Sequence, residues 1–151
     1  MVAGHLEIEF EIKAPAAAVH DVFSCRPHHF SNISPAHIQG CDLHEGEWGK
    51  SGTVVCWNYM HDGVPEVAKE IIEEIDDEKN LTTFKVIEGH LLEKYKNFHI
   101  TVQAIQKEEG SLVKWTFKYE KQSEDVPDPQ GIVRLANNMT KDVEAHLTQQ
   151  A

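Results

Sequence analysis

Positive charge is scarce in this chain. Fourteen Lys and Arg stand against 25 Asp and Glu in 151 residues, a formal net charge of −11. No basic cluster interrupts the acidity, which argues against a protein that grips nucleic-acid phosphates or settles on an anionic membrane. Cysteine is equally sparse. Cys25, Cys41 and Cys56 form an odd, widely spaced set without a CxxC pair, expected to be reduced thiols in a cytoplasmic protein. No apolar run reaches membrane-spanning length, and Val2 does not fit a myristoylation signal. Glu7, Glu9 and Glu11 stand where a secretory leader would be apolar. The glycosylation-like triplets beginning at Asn32, Asn80 and Asn138 are therefore expected to go unused. There is no repeat, low-complexity segment or linker. The expectation is one cytoplasmic domain over residues 1–151, monomeric or weakly dimeric, with neither nucleic acid nor membrane as partner.

What is present is alternation. Leu6, Ile8, Phe10 and Ile12 alternate with Glu7, Glu9, Glu11 and Lys13, the pattern of a half-buried strand. Ala14-Pro15 opens a short helix with Val19, Val22 and Phe23 on one face. Pro27 starts a shorter one through Phe30, and Pro35 ends it. Strands are then expected over residues 37–44, 53–60, 64–75, 81–88, 95–106 and 111–121. Asp62-Gly63 and Glu109-Gly110 mark tight turns, and residues 89–93 a loop. Residues 128–148 form the one long amphipathic helix: Ile132, Leu135, Ala136, Met139, Val143 and Leu147 make its apolar stripe, with Arg134, Asn137, Asn138, Lys141 and Glu144 opposite. Asp128 is expected to cap it and Pro129 to occupy its first turn. Short connections make the last six strands an antiparallel meander, an α+β class of fold. The helix is the natural cover for the sheet's apolar face, closing either a solid core or a cavity.

Several motifs fail on spacing. Gly49-Lys50-Ser51 ends like a phosphate-binding loop, but His44 stands where the first glycine belongs, and a strand rather than a helix follows. The glycines of residues 46–52 are expected to serve positive-φ turns. Ten histidines include no HExxH or Cys/His cluster, so no metal site is expected. No GxSxG or calcium-loop pattern occurs, and no cofactor is implied.

One resemblance covers nearly the whole chain in order. Gly40-Cys41-Asp42-Leu43-His44-Glu45-Gly46-Glu47-Trp48-Gly49, Trp57-Asn58-Tyr59, Lys85-Val86-Ile87-Glu88-Gly89 and Ser123-Glu124-Asp125-Val126-Pro127-Asp128-Pro129 resemble the major latex protein family, a branch of the Bet v 1 superfamily of plants. The resemblance implies a helix-grip fold, in which a curved seven-stranded antiparallel sheet wraps the long C-terminal helix above two short helices and encloses a hydrophobic cavity. It also implies a cytoplasmic plant protein linked to defence or stress that carries a lipid, hormone, phenolic, terpenoid or alkaloid. A few similar proteins are cofactor-free isomerases or cyclases, and the wider superfamily includes proteins with ribonuclease activity, against which the acidity here counts.

Family strand parity places Trp57, Tyr59 and His61 on the inner face of one strand. It likewise places Phe84, Val86 and Glu88; Phe98, Ile100 and Val102; and Trp115, Phe117 and Tyr119 on three others. Ala68, Glu70 and Ile72 join them in the family register. Trp57, Tyr59, Phe84, Phe98, Ile100, Trp115, Phe117, Tyr119, Leu135 and Met139 are the expected ligand contacts. His61, Glu70, His90 and Lys96 are the expected proton-transfer groups if the protein is an enzyme, since each exchanges protons and lies on or near the inferred mouth.

Overall fold

The alternating first stretch is strand β1, Val2–Ile12, in a computed structural model that describes residues 2–149. Helix α1, Ala16–Cys25, follows and buries Val19, Val22 and Phe23. A 3₁₀ turn, Pro27–His29, runs into helix α2, Phe30–Ile33, so this second helical piece reaches three residues beyond the sequence expectation. Six strands come next: β2 Ile38–Glu45, β3 Val54–His61, β4 Val64–Asp76, β5 Leu81–Gly89, β6 Tyr95–Gln106 and β7 Ser111–Lys121. The expected loop after β5 is instead a 3₁₀ turn, His90–Glu93. Helix α3, Gln130–Thr148, ends the described chain.

All pairings are antiparallel, in the order β1-β7-β6-β5-β4-β3-β2. The first strand thus pairs with the last, and the other five follow as a meander into one open sheet. Asp62-Gly63 makes the expected tight turn of the β3–β4 hairpin, with φ of 51° and 83° at the two positions. Gly46, Gly49 and Gly52 also have positive φ, and Thr53 Oγ1 donates to the Glu47 carbonyl at 2.6 Å, so the β2–β3 loop is a built turn.

Register shifts break three of these pairings and decide which way side chains point. Between Lys69/Glu88 and Glu70/Val86, β5 carries one extra residue, Ile87. A bulge of this kind bends the strand and interrupts its alternation. Val86 faces inward, but Ile87 and Glu88 both face out, and Glu88 pairs with Lys69 at 2.7 Å. Strict parity had put Glu88 on the inner face, and the bulge moves it off. A second shift between Tyr95 and Asn97 lets both Tyr95 and Phe98 point inward and leaves Lys96 exposed.

α3 lies over the inner face with Ile132, Ala136, Met139 and Val143 buried as its stripe predicts. Polar ties fix its second half. The Trp115 indole N–H donates to Thr140 Oγ1 at 2.9 Å, Ser34 Oγ donates to Asp142 at 2.5 Å, and the Lys13 N–H donates to Glu144 at 2.7 Å. Asp128 does not cap the helix. Pro129 is the N-cap residue and makes no side-chain cap bond. Asp128 is held towards β7 instead, accepting from the Tyr119 hydroxyl at 2.8 Å and lying 3.0 Å from the Lys121 ammonium.

Candidate functional site

Because β3, β4, β6 and β7 alternate, each sends every second side chain into the space under α3. Trp57 and Tyr59 come from β3, Ala68 and Glu70 from β4, Ile100 from β6, and Trp115 and Phe117 from β7; Phe84 comes from β5. Ile132, Leu135, Ala136 and Met139 close the space from α3, and Phe23, Ile38 and Leu91 complete it. The cavity offers about 70 Å³ to the centres of water-sized molecules, within an envelope of about 600 Å³ that includes its opening to solvent. Its walls are almost wholly apolar, as small-molecule sites generally are.

The exception is Glu70. It is only 6% exposed, and burial pushes its carboxyl up to about 8. The Trp57 indole N–H, itself buried and without a completed hydrogen bond, lies close enough to draw that value part of the way back. Tyr59, buried beside it, donates its hydroxyl outward to Glu66 at 3.1 Å, and burial first, then Glu66, keeps this phenol protonated well above its ordinary range.

A second, polar hollow of about 430 Å³ lies between the β3–β4 hairpin, the 3₁₀ turn after β5 and the start of α3. His61, Glu66, His90, Lys94, Asp128 and Arg134 are among its walls. Leu91 lines both spaces and so stands between them. His61 Nδ1 and Glu66 are 2.9 Å apart. His90 Nδ1 accepts the Val67 backbone N–H at 3.1 Å. At the hairpin tip, Arg134 donates to both Asp62 carboxylate oxygens, at 3.0 and 2.8 Å. Gly131 permits this approach, since a Cβ there would run into His61 and Asp62.

Residues 1–150 match the family model described as the Pathogenesis-related protein Bet v 1 family. The chain belongs to this family. Within it the likeness is to major latex proteins. MLP-like protein 34 of Arabidopsis thaliana is 51% identical over 144 residues, which is 94% of this chain and 46% of that protein. The chain thus spans about half the length of this relative, whereas it covers 86% of MLP-like protein 31 of the same plant, at 49% identity. The crystal structure of major latex-like protein 151 from Panax ginseng superposes with a TM-score of 0.95 at 47% identity, over 97% of this chain and 99% of that one. Norcoclaurine synthase from Thalictrum flavum, solved with dopamine and hydroxybenzaldehyde, shares the fold at 19% identity, with a TM-score of 0.73 over 96% of this chain and 88% of that one.

Set in this Bet v 1 framework, the residues singled out from sequence fall into four places. Trp57, Tyr59, Glu70, Phe84, Ile100, Trp115, Phe117, Leu135 and Met139 line the cavity. Phe98 and Tyr119 do not. They stack on each other at 5.7 Å between ring centroids, with Tyr95 edge-on to both, and fill the core beside it. His61 and His90 belong to the polar hollow. Lys96 is exposed at the β6 bulge, with its side chain outside both spaces. Sequence reasoning missed Leu91, which read as loop; two consecutive leucines in an otherwise polar stretch were the available signal. Among the described residues no group of three or more His, Cys, Asp or Glu side chains could hold a metal ion, and no helix is long and apolar enough to cross a membrane.

Proposed function

We propose that this protein binds a small hydrophobic or amphipathic molecule between its sheet and α3, as a cytoplasmic plant binding protein with a role in defence or stress. The observation that carries this reading is the cavity itself, an apolar enclosure holding one buried carboxyl. A drug-sized ligand generally needs roughly 300–1,000 Å³, more than the cavity gives as it stands. Uptake therefore widens the cavity, and movement of Leu91, which lines both spaces, would join it to the polar hollow beyond. The ligand's apolar body then lies against Trp57, Trp115, Phe117 and Met139. Met139 is the adaptable member of that set. The test is titration with the neutral dye N-phenylnaphthylamine, followed by displacement with lipids, phenolics and terpenoids. Saturable fluorescence that these compounds reverse supports the reading; a dye that stays dark at all concentrations removes it.

A second reading, a cofactor-free isomerase or cyclase in the same cavity, is favoured by Glu70. A carboxyl held near neutrality away from water has the property that proton transfer needs. Turnover of reactive terpenoid or alkaloid intermediates, lost in Glu70→Gln, would establish it. Product forming only at the uncatalysed rate across such a panel would dismiss it.

A further inference from the structure

The cavity contains an acid and no base. Lys, Arg and His are all absent from its lining. A carboxyl removed from water ordinarily brings a cation or a full set of hydrogen bonds with it. Among the described residues Glu70 has neither, and the adjacent Trp57 N–H is likewise left without a completed bond. Resting on the reading of this cavity as a ligand site, we propose that it selects a hydrophobic amine, whose protonated nitrogen is the cation that Glu70 lacks.

Donors and acceptors then match. An ionised Glu70 is acceptor-only, so it takes the Trp57 N–H on one side and the ligand's N–H groups on the other, and no polar atom is stranded. The rings of Trp57, Tyr59 and Trp115 line the same space and favour a cation over their faces. A carboxylate or phosphate head would find no partner inside. The net charge of −11 draws cations towards the protein and repels anions.

The titratable groups that face Glu70 do not compete for this role. Cys41 from β2 and Tyr59 from β3 interact with it, and burial holds both in their neutral forms. The faces that β5, α1, the 3₁₀ turn after β5 and α3 turn to the cavity are apolar. In the free protein Glu70 keeps its proton at neutral pH. An entering ammonium ion displaces it, so the ammonium–carboxylate pair forms and one proton goes to water. With the carboxyl at about 8, ionising it at pH 7 weakens binding only about tenfold. A desolvated cation–π contact alone offsets a factor of that size.

The experiment compares naphthylmethylamine with its neutral counterpart naphthylmethanol by calorimetry at pH 7, in two buffers of different ionisation heat. The expected result is an amine bound at least tenfold more tightly than the alcohol, with release of close to one proton. Glu70→Gln should lose both the preference and the release while still unfolding in one cooperative transition. Lys96→Ala, altered outside the cavity, should keep both. Equal binding of amine and alcohol, uptake without proton release, or a preference that survives Glu70→Gln would each overturn the inference. If N-phenylnaphthylamine binds but the amine cannot displace it, the amine assignment falls and the ligand site stands. If the dye does not bind either, both fall.

Discussion

Arg134 on α3 grips Asp62 at the tip of the β3–β4 hairpin through two parallel hydrogen bonds of 3.0 and 2.8 Å. The pair crosses the edge of the polar hollow, joining the first half of the helix to the sheet. Both side chains are at least half exposed, so solvent screens the pair and it contributes little to stability. Its effect should be on opening. Arg134→Ala is expected to leave the thermal midpoint nearly unchanged and to raise the association and dissociation rates of N-phenylnaphthylamine several-fold. Stopped-flow fluorescence measures both rates.

Glu70 makes stability depend on pH in a sign opposite to that of a salt-bridged acid. The folded protein holds the Glu70 proton up to about pH 8, whereas the unfolded chain releases it near the ordinary value of 4.5. Between these values unfolding releases a proton, so stability falls as pH rises through the window and levels off above it. The loss is at most on the order of 5 kcal/mol. Thermal unfolding should therefore show the wild type losing ground to Glu70→Gln from pH 5 to pH 8, and a constant gap above. Parallel curves would mean that Glu70 does not titrate in this range.

Phe98 and Leu135 separate packing from pocket. Phe98 is fully buried away from the cavity, and Phe98→Ala should cost about 3–5 kcal/mol in denaturant unfolding. Leu135 is half-buried and forms part of the wall. Leu135→Ala should cost less, and it should shift binding towards bulkier ligands in a displacement series.

Lys96 sits on the outer side of the β6 bulge, exposed to solvent. Lys96→Ala should change neither stability nor dye affinity by more than about 0.5 kcal/mol. Denaturant melts and dye titration together check this.

Much of the fold was written in period. The strand bounds of Tyr95–Gln106 agree with the expectation, since Phe98, Ile100, Val102 and Ala104 keep the alternation, and the stripe from Ile132 to Val143 names the buried face of α3. Side-chain direction failed where the period breaks. Nothing local in Val86-Ile87-Glu88 announces the extra residue, because the bulge is set by pairing with Lys69 and Glu70 across the hairpin. Asp128 failed for a similar reason. Its position suited a cap, but Tyr119 and Lys121, remote from the helix, claim its carboxylate. Phe98 shows the limit of parity: an inward residue can fill a core or line a cavity, and the Lys96 bulge that turns Tyr95 inward beside it decided for the core.

The pairing of β1 with β7 sets an order of assembly. Val2 lies opposite Lys121 and Ile12 opposite Ser111, so β1 waits for a strand made about a hundred residues later. Until then Leu6, Ile8 and Phe10, which pack against the core, have no sheet to join. The growing chain must keep this apolar edge from other partners while it waits. Within this domain, one edge of the sheet is therefore made long before the strand that completes it.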